Sequence, residues 1–193
     1  MTNMKIILGS SSEGRRLVMQ ELGFDFDVLA PDINEKAIRR ETPEELVMAI
    51  AEAKTEALLA KIKKPAILIT SDQVVFCKGV ILEKPVSEDE ARRFLRGYTH
   101  TPAQTIGAVV VTNTVTGKQF KAPQTSKIYF KPLPEDVIER HIKSGAALRG
   151  AGGFQIHDPE LLHYVDHIEG TLDSATGLSK ELVTRLITEA TRS

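Results

Sequence analysis

The sequence predicts an α/β or mixed-sheet α+β fold, and three observations predict it. Apolar runs of strand length, "KIIL" at 5–8 and "AILITSD" at 66–72, alternate with segments of helical period. Those helical segments open on capping residues, and several close on glycine. No internal repeat, low-complexity tract or linker interrupts the chain, so its 193 residues, 41% of them hydrophobic, suit a single domain over 1–193 or two closely packed lobes.

Residues 5–8 read as a buried strand, followed by a helix from Glu13 to Leu22 in which Val18 and Leu22 keep helical spacing and Ser12 is the N-cap. The next helix starts near Pro43: Thr42 caps it, proline takes the first helical position, and Glu44 and Glu45 meet the positive end of the helix dipole. It is expected to run to about Ile62. "AILITSD" is a continuous apolar strand ending in polar residues, which puts Asp72 at its exit, and "VVFC", "KG" and "VILE" read as a hairpin. "SEDEARRFLRG" is a short helix ending at Gly97; "IGAVVVTN" and "KQFKA" form a second hairpin around Thr116 and Gly117; "SKIYF" is one further strand. "PEDVIERHIKSG" is an amphipathic helix stopped by Gly145, "GAGG" a flexible loop, and "SKELVTRLITEA" the closing helix.

Twenty-five Lys and Arg against 26 Asp and Glu leave a formal net charge of −1, so no long-range field gathers nucleic acid or an anionic membrane. With no tryptophan and 5% aromatic residues there is little to stack bases on, which disfavours a nucleic-acid-binding module. The one cysteine, Cys77, cannot form an internal disulfide, and it reads as a small buried strand residue rather than a nucleophile. Together with the lack of a span-length apolar segment, this places the protein in the cytosol, away from membranes.

Several side chains carry two readings each. Ser12 with Arg15 and Arg16 is either a capped helix with a basic surface or an anion site built from first-turn amides and guanidinium. Lys54 shares a helix face with Val47, Ala51 and Leu58, so its ammonium either snorkels to water or meets an anion. Asp72 is either turn chemistry or a carboxylate engaged with a metal, a hydrogen-bond network or a catalytic proton. Lys84, before Pro85, is a solvated turn residue or a second cation of a site, and Glu35 by itself reads as part of a charged loop. His141, His157, His163 and His167 lack the HExxH arrangement; His163 and His167 could share a helix face, and zinc is disfavoured.

Taken in order, "LGSSSEGRRLVMQELGFDFDV", "INEKAIRRETPEELVMAIAEAKTEAL", "TSDQVV", "LEKP", "GAGGFQIH" and "IEGTLDSATGL" resemble the Maf family of nucleoside triphosphate pyrophosphatases from Leu8 to about Leu186. The resemblance implies one Maf-like domain with an elongated mixed sheet flanked by helices, two lobes and a central cleft, related to inosine-triphosphate pyrophosphatases. It implies hydrolysis of an NTP to NMP and pyrophosphate with a divalent cation, Mg²⁺ or Mn²⁺. Asp72 falls on the general base, Ser12, Arg15, Lys54 and Lys84 on phosphate-binding positions, and Glu35 with Asp72 on the metal-binding carboxylates. A homodimer is a further possibility that the family suggests.

The chain departs from the family pattern in places. Glu13 and Gly14 replace Pro-Arg in the opening motif, with Arg16 as a stand-in for the lost arginine; Gly150 stands where lysine is common; Ser179 follows Gly177 and Leu178 in place of proline. Base selection is associated with the positions of Arg15, Gln73 and His157, or Gln155 if the loop shifts. Arg15 resembles the dTTP/UTP branch and Gln73 the 7-methylguanosine triphosphate branch. The leading expectation is a pyrimidine or modified-nucleotide pyrophosphatase; the alternatives are a 7-methylguanosine triphosphate pyrophosphatase and a nucleotide-binding regulator linked to septum formation without turnover.

Overall fold

The computed structural model describes residues 4–193. Its sheet has seven strands: β1 (Lys5–Gly9), β2 (Phe26–Val28), β3 (Ala66–Cys77), β4 (Val80–Leu82), β5 (Ala103–Asn113), β6 (Gln119–Phe130) and β7 (Val165–Glu169). Their order is β2-β1-β3-β5-β6-β7, with β4 on β3. Around them run α1 (Glu13–Glu21), α2 (Pro43–Leu59), α3 (Glu88–Gly97), α4 (Glu135–Lys143), α5 (Pro159–His163), α6 (Leu172–Thr176) and α7 (Lys180–Thr191). β1 pairs parallel with both β2 and β3, whereas β4 on β3 and β7 on β6 are antiparallel, so the sheet is mixed.

The chain divides into two compact units. The first takes the residues up to Asp72, Gly107–Gln124 and Gly177–Ser193; the second takes Gln73–Ile106 and Thr125–Thr176. In the first, Leu8, Ile67, Ile69, Val109 and Val111 of the strands pack with Val18 and Met19 of α1 and Val183 and Leu186 of α7. α2 buries Leu46, Val47, Ile50, Ala51 and Leu58 at helical spacing, and each large side chain so buried contributes about 1.5–3 kcal/mol. The start of α2 is a full capping box, with Thr42 Oγ1 accepting from Glu45 N and Glu45 Oε2 accepting from Thr42 N.

The second unit has its own core, centred on Tyr98, Phe130 and Phe154, whose ring centroids lie 5.4–5.6 Å apart. Leu95 of α3 and Val137, Ile138 and Ile142 of α4 close over it. Arg92 of α3 grips Glu139 of α4 through both carboxylate oxygens, at 2.6 and 3.1 Å. The β3–β4 hairpin turns at Lys78 and Gly79, both left-handed at φ 52° and 79°.

Several expected boundaries move. Asp72 does not end its strand: β3 runs unbroken to Cys77, because each of the polar residues 71–73 finds a buried partner and the ladder can continue through them. "KQFKA" and "SKIYF" are one strand, β6, which passes through Pro123. α2 stops at Leu59, short of Ile62, while α3 ends at Gly97 as expected, with right-handed Tyr98 as its C-cap. "GAGG" is an ordered 3₁₀ turn over Ala151–Gly153. His163 ends α5 and His167 lies on β7, so they share no helix.

Gly152 and Gly117 separate two costs of replacing a glycine. Both are left-handed, at φ 68° and 73°, but a Cβ at Gly152 would lie 2.6 Å from Tyr98 Oη and 2.9 Å from Val75, whereas nothing lies within 4 Å at Gly117. Gly117→Ala is expected to cost about 1 kcal/mol for the backbone alone, and Gly152→Ala a further 1–3 kcal/mol for overpacking, as measured by urea denaturation.

Candidate active site

The first unit gathers four charges. Lys54, on the buried face of α2, is only 5% exposed, so it does not snorkel to water. Its Nζ donates to Asp72 Oδ1 at 2.7 Å and pairs with Glu35 Oε1 at 2.9 Å. Glu35 opens the 3₁₀ turn Glu35–Ala37 and is half-exposed, so the cluster has one dry side, at Asp72, and one wet side. An ammonium buried in this way needs counter-charge, and two carboxylates supply it.

The register between α2 and β3 that brings Lys54 to Asp72 is held by Thr55, next to Lys54, and Thr70, two residues before Asp72. Thr55 Oγ1 and Thr70 Oγ1 lie 2.6 Å apart, and both reach Ala51 O, at 3.1 and 2.9 Å. Gly9 leaves room for this contact, since a Cβ there would stand 2.5 Å from Leu58 Cδ1 and 2.8 Å from Thr70 Cγ2.

Arg15 completes the cluster electrostatically, and its guanidinium is engaged with the protein. Nε donates to Gly177 O at 3.2 Å, and one terminal nitrogen donates to Ser71 O at 2.9 Å and Ser10 Oγ at 3.3 Å. Ser71 Oγ donates to the same Gly177 carbonyl. Ser12 caps α1, its Oγ accepting from Arg15 N at 3.5 Å. Burial pushes the Asp72 carboxyl above the usual carboxylate range, overriding the opposing pull of Lys54 and Arg15, and burial also lowers the Arg15 guanidinium.

The remaining expected site residues belong to the second unit. Lys84 is exposed in the loop between β4 and α3. Gln73 Nε2 donates to Ala175 O at 3.1 Å, which leaves its Oε1 buried and without a partner. His157 is partly exposed in the turn before α5. The structure thus joins Arg15, Glu35, Lys54 and Asp72 with Ser12 beside Arg15, and holds Lys84, Gln73 and His157 on the other unit. Sequence reasoning missed Ser10 Oγ and the carbonyls of Ser71 and Gly177 as the acceptors of Arg15; carbonyl contacts leave no residue-type signature, and a serine in a Ser-rich stretch leaves only a weak one.

The mixed α/β fold is shared with the solved structure of a HAM1 protein from Coxiella burnetii, with a TM-score of 0.51 at 14% identity, over 97% of this chain and all of the other. The family model for Maf-like proteins matches residues 5–190, and the chain belongs to that family. Among its relatives, a 7-methyl-GTP pyrophosphatase of Dictyostelium discoideum is 37% identical over the full length of both chains. A dTTP/UTP pyrophosphatase of Vibrio vulnificus is 34% identical over 90% of this chain and 92% of its own. One of Thermotoga petrophila is also 34% identical, over 96% and 89%.

A carboxyl whose folded-state pKa is raised binds its proton more tightly in the folded than in the unfolded protein. Its contribution therefore favours folding at acid pH and is lost as pH climbs from the ordinary carboxylate range through the raised value. Asp72→Asn, which keeps an oxygen for Lys54, is expected to melt at or above the wild-type temperature at neutral pH, with the difference closing as the pH falls. Melting curves of the two proteins across the acid range check this.

Proposed function

We propose that the protein is a nucleoside triphosphate pyrophosphatase, hydrolysing an NTP to NMP and pyrophosphate with Asp72 as the general base. The observation that carries this reading is the convergence of Asp72 and Glu35 on the buried ammonium of Lys54. Attack on the α-phosphorus needs a water held in line and relieved of its proton, and a buried carboxylate of raised basicity suits that task. Lys54 steadies Asp72 as the charge passes through it and offers its remaining hydrogen-bonding capacity to phosphate oxygens. Ser12, the first-turn amides of α1 and Lys84 are the further phosphate contacts in this reading.

Glu35 and Asp72 supply hard oxygen donors, and among the described residues no group of three or more His, Cys, Asp or Glu converges on one point. Two carboxylates fit a cation such as Mg²⁺ or Mn²⁺ that keeps waters and takes its other ligands from phosphate. Bound there, it would neutralise charge on the phosphates and the departing pyrophosphate. Among the described residues no helix is long and apolar enough to cross a membrane, and a cytosolic enzyme is our reading.

For the base, we place 7-methylguanosine triphosphate first. Arg15, the residue on the dTTP/UTP side, spends Nε and one terminal nitrogen on Gly177, Ser71 and Ser10, while the buried acceptor Gln73 Oε1 has no partner and suits a ring N–H of either base class. The full-length relative from Dictyostelium favours the same order. A pyrimidine triphosphate such as dTTP or UTP is the second reading, supported by Arg15 itself and by the Vibrio and Thermotoga relatives.

Pyrophosphate release over a panel of NTPs with Mg²⁺ or Mn²⁺ tests both levels. Turnover is expected to stop on chelation and return with the cation, and Asp72→Asn is expected to lower kcat about 10²–10⁴-fold. A panel without any turnover sinks the pyrophosphatase reading; dTTP or UTP at its head reverses the order of bases.

A further inference from the structure

His141 is a buried polar group of the second unit that the proposed chemistry leaves unused. Its side chain is fully buried on the apolar face of α4, beside Val137, Ile138 and Ile142. Nδ1 lies 3.0 Å from Asp158 Oδ2 and Nε2 lies 3.2 Å from Gly153 O. Both neighbours are acceptors, so the ring satisfies the two together only with a proton on each nitrogen.

Each of these neighbours governs a segment. Gly153 ends the 3₁₀ turn Ala151–Gly153, whose Gly152 O accepts from Tyr98 Oη at 2.7 Å and whose Gly152 N–H donates to Glu83 O at 3.0 Å. The residue after Glu83 is Lys84. Asp158 caps α5, its Oδ1 accepting from Glu160 N at 2.9 Å and its own N–H donating to Gln155 O at 2.9 Å, and so closes the turn that carries His157. One ring thus holds two backbone segments, one leading to Lys84, a proposed phosphate contact, and the other to His157, at a position that the family resemblance associates with base selection.

We propose that His141 is a positioning residue for nucleotide binding: through Gly153 and Asp158 it fixes the glycine turn behind Lys84 and the turn bearing His157. The proposal rests on the pyrophosphatase reading. A side chain that only orders ligand-binding segments acts on the affinity for the nucleotide and leaves the chemistry at Asp72 untouched.

The test is steady-state kinetics on the best NTP of the panel, with hydrogen exchange of the Gly152 and Gly153 amides measured on the same proteins. His141→Gln is expected to raise KM about tenfold with kcat within about twofold, and to speed exchange at both glycines. Asp158→Asn, which keeps the α5 cap through its Oδ1 and offers an amide to the ring, is expected to recover most of the wild-type KM relative to Asp158→Ala. Unchanged KM and exchange in His141→Gln overturn the proposal, as does a fall in kcat at constant KM. A wild type that hydrolyses no NTP removes the reading beneath it, and is told apart from the failure of the clamp alone by the wild-type rate.

Discussion

The ion pair between Lys54 and Asp72 is the constraint on which the first unit is arranged. A charged pair so little exposed is costly to bury, and removing Lys54 would leave the Asp72 carboxylate without its ammonium, whereas Lys54 deprived of the Asp72 charge keeps Glu35. The surrounding structure is organised to keep the two together. The Thr55–Thr70 contact sets the register of α2 on β3, Gly9 admits it, and Glu35 supplies the second carboxylate that a lone Asp72 would leave Lys54 without. Arg15 fastens the far end of the same strand segment to Gly177.

The second unit solves a different problem by different means. Its surface pairs, such as Arg140 with Asp136 and Glu160, sit in water and contribute little individually, so the aromatic cluster around Tyr98 carries the packing. What this core supports is a glycine-rich turn whose path excludes side chains: a Cβ at Gly150 would lie 1.9 Å from Phe154 O. A side chain at position 150 therefore has no room in this turn, which suits the glycine the sequence places there.

Much of this was legible in the sequence because it is written in local chemistry. Ser12, Thr42, Ser87 and Ser179 all cap the helices that follow them, and Lys78–Gly79 turns its hairpin. Arg15, Glu35, Lys54 and Asp72, each singled out in the sequence, lie together in the first unit. What escaped was set by partners distant in the chain. β3 was expected to end at Asp72 because three polar residues look like a terminus; only contacts with Lys54, Gly177 and Ala175 let the strand continue. β2 and β7, three and five residues long and each interrupted by charged residues, are too short for apolar alternation to announce a strand. His141 could have been suspected from its place among Val137, Ile138 and Ile142, but its two acceptors could not.

Those two short strands have a consequence for how the protein behaves in a crowded solution. They end the sheet, and each carries charge at the margin: Asp27 on β2 is paired with Lys5, and on β7 Asp166, His167 and Glu169 stand exposed, with His167 stacked on Tyr129. Strand margins of this kind resist zipping onto a second copy, because joining would strip water from charges that gain no partner. The features that hid β2 and β7 from a pattern reading are thus the ones that guard the protein against edge-to-edge aggregation.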